Sequence, residues 1–171
     1  MTQRSAAFCE RLGIEVPIVQ APVGTISTPG LAAAVSNAGG LGMIGVGGMP
    51  LDRVEARLRA TAELTGRPFG ANVIVAISPP EAVDVVLDAG VKILSLFWGD
   101  TAPFVARAHQ AGALVLTTVG TAREAREAVA TGEPEAMAVY AGQGVGLITR
   151  VEPAAEIIRR LIREAQQALT G

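Results

Sequence analysis

Side chains able to do chemistry are few in this sequence, and they do not cluster. Asn72 is a donor and acceptor inside the apolar run 69–75, where burial obliges it to find partners in a ligand or in the backbone. Trp98 and Asp100 follow the run 91–97. An indole there could cover a flat ring and a carboxylate could act as a base, although packing and capping of the next helix are commoner uses. Thr117 and Thr118 offer hydroxyls only. His109 falls in the helical stretch 104–110, away from any strand end, and reads as a solvated helix residue. No group of His, Cys, Asp and Glu has metal-ligand spacing, and no Ser or Cys stands beside a base in a nucleophile motif.

The remaining candidates are main chain. Ala21, Pro22, Val23 and Gly24 lack bulk, so their amides can approach a flat ring or an anion; a simple tight turn explains the same residues. Gly45-Val46-Gly47-Gly48 permits close backbone approach but is common in loops. Gly142-Gln143-Gly144-Val145-Gly146 has the look of a dinucleotide turn, without the preceding strand and ribose-binding acid that complete that fingerprint.

These positions need a scaffold, and the sequence repeats one. Glycines at 40, 66, 90 and 112 each precede a short Val/Ile/Leu-rich run, at 41–45, 69–75, 91–97 and 113–118, and a further run occupies 16–20. Continuously apolar runs suit parallel strands covered on both faces. Between them lie helical segments: Thr28-Pro29 puts proline in a first turn, while Ser78 with Glu81 and Thr121 with Glu124 have capping-box spacing. Leu51, Val54 and Leu58, then Val83, Val86 and Leu87, form stripes to pack on a sheet. The beat breaks after Gly132. Beyond it, Ile157, Ile158, Leu161, Ile162, Ala165 and Leu169 share one face of an amphipathic helix, with Pro153 in its first turn and Glu156 four residues before Arg160.

Ligands of parallel β/α folds sit at the carboxyl ends of strands, where residues 21–24, 45–48, 72 and 98–100 fall. The expected architecture is α/β: a partial TIM-type barrel of about five parallel βα units plus a C-terminal amphipathic helix, all in one domain. Periodicity alone leaves an open doubly wound sheet as the other choice.

Composition narrows function further. Half of the 171 residues are apolar, enough for one sizeable core. Fourteen basic against sixteen acidic residues, without charge runs, give no general attraction to nucleic acid or anionic lipid. A single cysteine, no leader-like N-terminus and no run of about 20 apolar residues predict a cytoplasmic protein without membrane association.

Taken together, Gln-Ala-Pro-Val-Gly at 20–24, Ser-Thr-Pro at 27–29 with the following Ala-Ala-Ala-Val-Ser-Asn-Ala-Gly-Gly-Leu-Gly, Gly70-Ala71-Asn72, Phe97-Trp98-Gly99-Asp100 and the Gly-rich segment from Ala141 resemble the nitronate monooxygenases. Flavin-dependent enoyl reductases of fatty-acid synthesis share much of the opening. The resemblance implies an FMN-containing barrel that oxidises alkyl nitronates with O2 to a carbonyl compound and nitrite. It implies that Ala21, Pro22, Val23 and Gly24 line the isoalloxazine, that Asn72 bonds the flavin, and that Gln143 and Gly144 lie near the cofactor's end. Residues 1–132 correspond to the family's first five βα units and 133–171 to its C-terminal tail. The family's Gly-Gly-His segment and its two Gly-rich phosphate loops have no counterpart, so the resemblance assigns no catalytic residue. A shortened barrel exposes strand edges, which predicts self-association into a homo-oligomer. The alternatives are a non-catalytic remnant or scaffold with little affinity for FMN, and an NAD-binding open α/β domain.

Overall fold

A computed structural model describes residues 3–118 and 152–170. Its strands are β1 (Gly42–Gly45), β2 (Phe69–Ile74), β3 (Ile93–Phe97) and β4 (Leu114–Thr117), paired in chain order and all parallel. Helix α1 (Gln3–Leu12) opens the chain and α2 (Pro29–Asn37) precedes β1. The three crossovers carry α3 (Leu51–Leu64), α4 (Glu81–Asp88) and α5 (Ala102–Gln110), and α6 (Ala154–Thr170) closes the described residues. A sheet whose order never reverses is wound in one direction, which puts its crossover helices on one face; a doubly wound sheet reverses and uses both. The described residues are therefore a wall of a parallel β/α barrel.

Strand periodicity divides the apolar residues between the two faces. Ile44, Ala71, Val73, Leu94 and Leu96 join Val54 and Leu58 of α3, Val83 and Val86 of α4, and Phe104 and Ala108 of α5 in one buried cluster. On the opposite face Met43 and Ile93 pack with Leu41 against Cys9, Leu12 and Ile14 from α1 and the turn after it. Each fully buried aliphatic side chain contributes about 1.5–3 kcal/mol, so the two clusters hold the wall from both sides. Helix α1 was not expected from the sequence; its signal is the three-residue spacing of Cys9 and Leu12.

Four of the five expected strands appear as such. The run 16–20 is reduced to one parallel bridge, Val19 to Leu41, flanked by bonds from Leu41 N–H to the Ile18 carbonyl and from Gln20 N–H to the Leu41 carbonyl, both 2.9 Å. Pro17 has no N–H to give, and the amides of Glu15 and Val16 both turn to the Gly39 carbonyl, so the ladder stays short.

Capping follows the sequence at α2, where Thr28 Oγ1 accepts from Leu31 N–H at 3.2 Å and Pro29 occupies the first turn. It departs at α4. No side chain caps that helix, because Ser78 Oγ instead accepts from Gly48 N–H at 3.1 Å and ties together the loops after β1 and β2. Thr121 and Glu124 lie outside the described residues. On α6, Arg160 pairs with Glu152 (3.1 Å) and Glu164 (3.4 Å) rather than with Glu156. These side-chain hydrogen bonds raise the Arg160 pKa, Glu152 contributing most. Of the predicted stripe, Ile158 is buried and lies near Gly40, while Leu161 is exposed.

Gly42 is fixed by space: a Cβ there would collide with the backbone of Ala32 in α2. Gly66 has nothing within 4 Å of the same atom. Gly42→Ala should therefore cost about 3 kcal/mol or more in denaturant unfolding, against within about 0.5 kcal/mol for Gly66→Ala. Equal costs would show that α2 does not press on β1 as described.

Candidate active site at the carboxyl end of the sheet

The site begins with a row of residues that strand register sets side by side. Gly45 on β1 pairs with Asn72 on β2, Asn72 with Ser95 on β3, and Ser95 with Leu116 on β4. Asn72 is only 6% exposed, and its Oδ1 accepts from Ser95 Oγ at 2.8 Å. Its Nδ2 has no hydrogen-bond partner among the described residues, and the side chain lines a small cleft. That cleft, about 140 Å³, is walled by Pro22, Val23, Gly24, Gly45, Gly47, Met49, Asn72 and Ile74.

Glycine brings the far wall in. A Cβ on Gly45 would stand 3.0 Å from the Gly24 carbonyl, and one on Gly47 would overlap Ile74, so the turn and the strand ends meet only because both positions lack side chains. Gly24 itself holds φ +41°, a conformation open to glycine at little cost.

The turn is braced from within. Ser27, almost fully buried, accepts at Oγ from Val23 N–H (2.7 Å) and from Gln20 Nε2 (3.0 Å), and donates to the Ala21 carbonyl (3.2 Å). The Gln20 amide also donates from Nε2 to the Met43 carbonyl (3.1 Å) and accepts at Oε1 from Met43 N–H (3.3 Å), tying the turn to β1. From α3, Arg57 Nη2 donates to the Ser27 carbonyl at 2.7 Å.

Of the residues expected to form the site, Pro22, Val23, Gly24 and Asn72 meet at this cleft. Ala21 adjoins it, but its carbonyl is occupied by Ser27 Oγ and Gln20 Nε2. Gln143 and Gly144 lie outside the described residues. Gln20, Ser27, Arg57 and Ser95 were not singled out beforehand. Ser95 had a signal, a second hydroxyl- or amide-bearing residue inside an apolar run, but pairing it with Asn72 requires the register.

After β3, Asp100 Oδ1 accepts from Ala102 N–H at 3.1 Å; the N-cap position of α5 is Thr101, one residue later than the sequence suggested, and no side chain caps the helix there. Trp98 has φ +51°, unusual for a residue with a Cβ and costing about 1–3 kcal/mol. Its carbonyl accepts from Ala76 N–H at 2.7 Å, and the residue is 55% exposed and does not line the cleft. His109 is exposed on α5. Among the described residues no group of His, Cys, Asp and Glu could hold a metal, and no helix is long and apolar enough to cross a membrane.

A one-way parallel wall with a glycine-lined cleft at its carboxyl end defines a β/α-barrel fold whose candidate site lies at the end where such folds bind ligands. Residues 5–81, which contain the turn, Gln20, Ser27, Arg57 and Asn72, match the family model for nitronate monooxygenase. It is 56% identical over 67 residues to a nitronate monooxygenase of Paraburkholderia phytofirmans, covering 39% of this chain and 18% of that protein. A longer match, 35% identical over 138 residues, is to the (3aS,4S,5R,7aS)-5-hydroxy-7a-methyl-1-oxo-octahydro-1H-indene-4-carboxyl-CoA dehydrogenase of Mycobacterium tuberculosis; it covers 80% of this chain and 39% of that one. FabK from Thermotoga maritima superposes with a TM-score of 0.69 at 32% identity, over 77% of this chain and 42% of its own. The chain thus spans about two-fifths of the length of these last two relatives.

The Asn72–Ser95 bond can be measured. In a double-mutant cycle of Asn72→Ala and Ser95→Ala, unfolding free energies should show a coupling of about 1 kcal/mol. Strictly additive losses would mean that the two side chains do not brace each other.

Proposed function

We propose that the cleft holds one edge of an FMN isoalloxazine and that the protein takes part in flavin-dependent oxidation of alkyl nitronates. The carrying observation is Asn72, a buried residue whose side-chain oxygen is engaged and whose NH2 has no partner among the described residues, at a cleft walled largely by small residues. Asn72 lines the cleft, where a ring carbonyl or nitrogen would take the place of water as the acceptor for Nδ2. At about 140 Å³ the cleft is well below the roughly 300–1,000 Å³ of a complete ligand pocket, so it suits a ring edge rather than a whole cofactor. The match of residues 5–81 to the nitronate monooxygenase family model supports the same assignment.

The chemistry that FMN supplies, when bound, is oxidation of the nitronate with O2 as the final acceptor, giving a carbonyl compound and nitrite. The chain's own residues do simpler things. Asn72 would orient the ring through Nδ2, while Pro22, Val23 and Gly24 would cover its edge and keep water from it. No side chain is assigned as a base. A nitronate already carries its reactive carbanion, so it needs no proton removed before oxidation.

By their names the two relatives act on different substrates, a carboxyl-CoA and a nitronate. The wall described here is accordingly proposed to serve the ring. Self-association is proposed as well, supported by β4, which is only partly buried along its whole length and has no further strand beside it among the described residues.

Titration of the protein with FMN, followed by flavin fluorescence and the visible spectrum, should give saturable binding that Asn72→Ala weakens about tenfold, the equivalent of one hydrogen bond. With FMN bound, nitrite should be released from a nitronate at least about 10²-fold faster than from the neutral nitroalkane, for want of a general base. A colourless protein that fails to bind would overturn the cofactor assignment, and equal rates would show that a side chain of the protein acts as a base. Light scattering should give a mass above that of one chain; a monodisperse monomer would contradict self-association.

A further inference from the structure

We propose that Arg57, which lies on α3 and does not line the cleft, is a positioning residue for the turn 21–24 and sets its geometry through Ser27. The inference rests on the reading of that turn as a ring-binding wall. Arg57 Nη2 donates to the Ser27 carbonyl at 2.7 Å across thirty positions of sequence. Its Nε is buried without any partner, and no carboxylate pairs with the guanidinium among the described residues. An arginine held this way is not accounted for by a salt bridge. It gives up water at Nε, and the one described contact returned for that loss is the Ser27 carbonyl.

Ser27 converts this single contact into control of the turn. Its amide donates to the Val23 carbonyl (3.2 Å), and its hydroxyl accepts from the Val23 amide and donates to Ala21. Both directions of the turn's hydrogen bonding therefore close on one residue. Thr28, next in sequence, caps α2, so a shift of Ser27 would move the helix start as well. A guanidinium at a backbone carbonyl forms a charge-assisted bond, stronger than the neutral bonds within the turn. Arg57 thus fixes from outside what the hydroxyl shapes from inside.

The test uses the full chain with Arg57→Ala, Arg57→Lys and Ser27→Ala, read by amide hydrogen exchange without ligand and by the FMN dissociation constant. Arg57→Ala should speed exchange at Val23, Ile26 and Ser27 about tenfold while leaving β1 amides at Met43 and Ile44 unchanged, since local openings are resolved from global ones. It should raise the FMN dissociation constant by a similar factor. Arg57→Lys, which keeps a charged donor, should recover most of both effects, and Ser27→Ala should exceed Arg57→Ala at Val23. Unchanged exchange at the turn in Arg57→Ala, or equal acceleration in β1, would overturn the proposal and leave Arg57 a helix-packing residue. If the unaltered chain binds no FMN, the cofactor reading fails, while the exchange data still decide whether Arg57 holds the turn.

Discussion

Parallel register is the constraint from which the candidate site follows. Because β1, β2 and β3 advance in step, Gly45, Asn72 and Ser95 fall in one row, and a slip of one residue would turn Asn72 from the cleft toward the helices. The register is itself secured by packing on both faces. Met43 occupies the space above Gly70, and the helix stripes bury Ile44, Ala71 and Leu94 from behind. A one-residue shift would break both arrangements together.

What this row does chemically depends on incomplete satisfaction. Ser95 engages the oxygen of Asn72 and so fixes which end of the amide is left over. The donor that remains is held without rotational freedom, the condition under which a single hydrogen bond can orient a ligand rather than merely add affinity. Opposite it, the turn 21–24 owes its position to the Gln20 clamp on Met43 and to the Ser27 hydroxyl. One wall of the cleft is thus built by strand pairing and the other by side-chain bonds to backbone, and glycine at 45 and 47 lets them approach.

The strands and helix stripes were legible because burial dictates composition: four apolar runs became β1 to β4 within two residues at either end. Asn72 was legible as an amide where an amide is costly. Other features were hidden because they depend on tertiary context. Val19 pairs at a single bridge because Pro17 and the Gly39 carbonyl draw the neighbouring backbone away. Ser78 has capping-box spacing, yet a loop amide from Gly48 takes its hydroxyl. Glu156 has the right interval to Arg160, but Glu152 and Glu164 reach the guanidinium instead. Ser27 and Arg57 look ordinary in sequence, since neither a serine before a Thr-Pro nor an arginine inside a charged helix predicts a thirty-residue contact.

The central claim is that a buried amide and a glycine-walled turn form one face for a flavin ring, independently of any phosphate site. Nuclear magnetic resonance of 15N-labelled protein titrated with riboflavin, which has the ring and no phosphate, tests it most directly. The account predicts that the Asn72 side-chain amide and the backbone amides of Val23, Gly24, Gly45 and Gly47 shift together with a single saturation curve. Shifts confined to other parts of the chain, with these resonances unmoved, would contradict it.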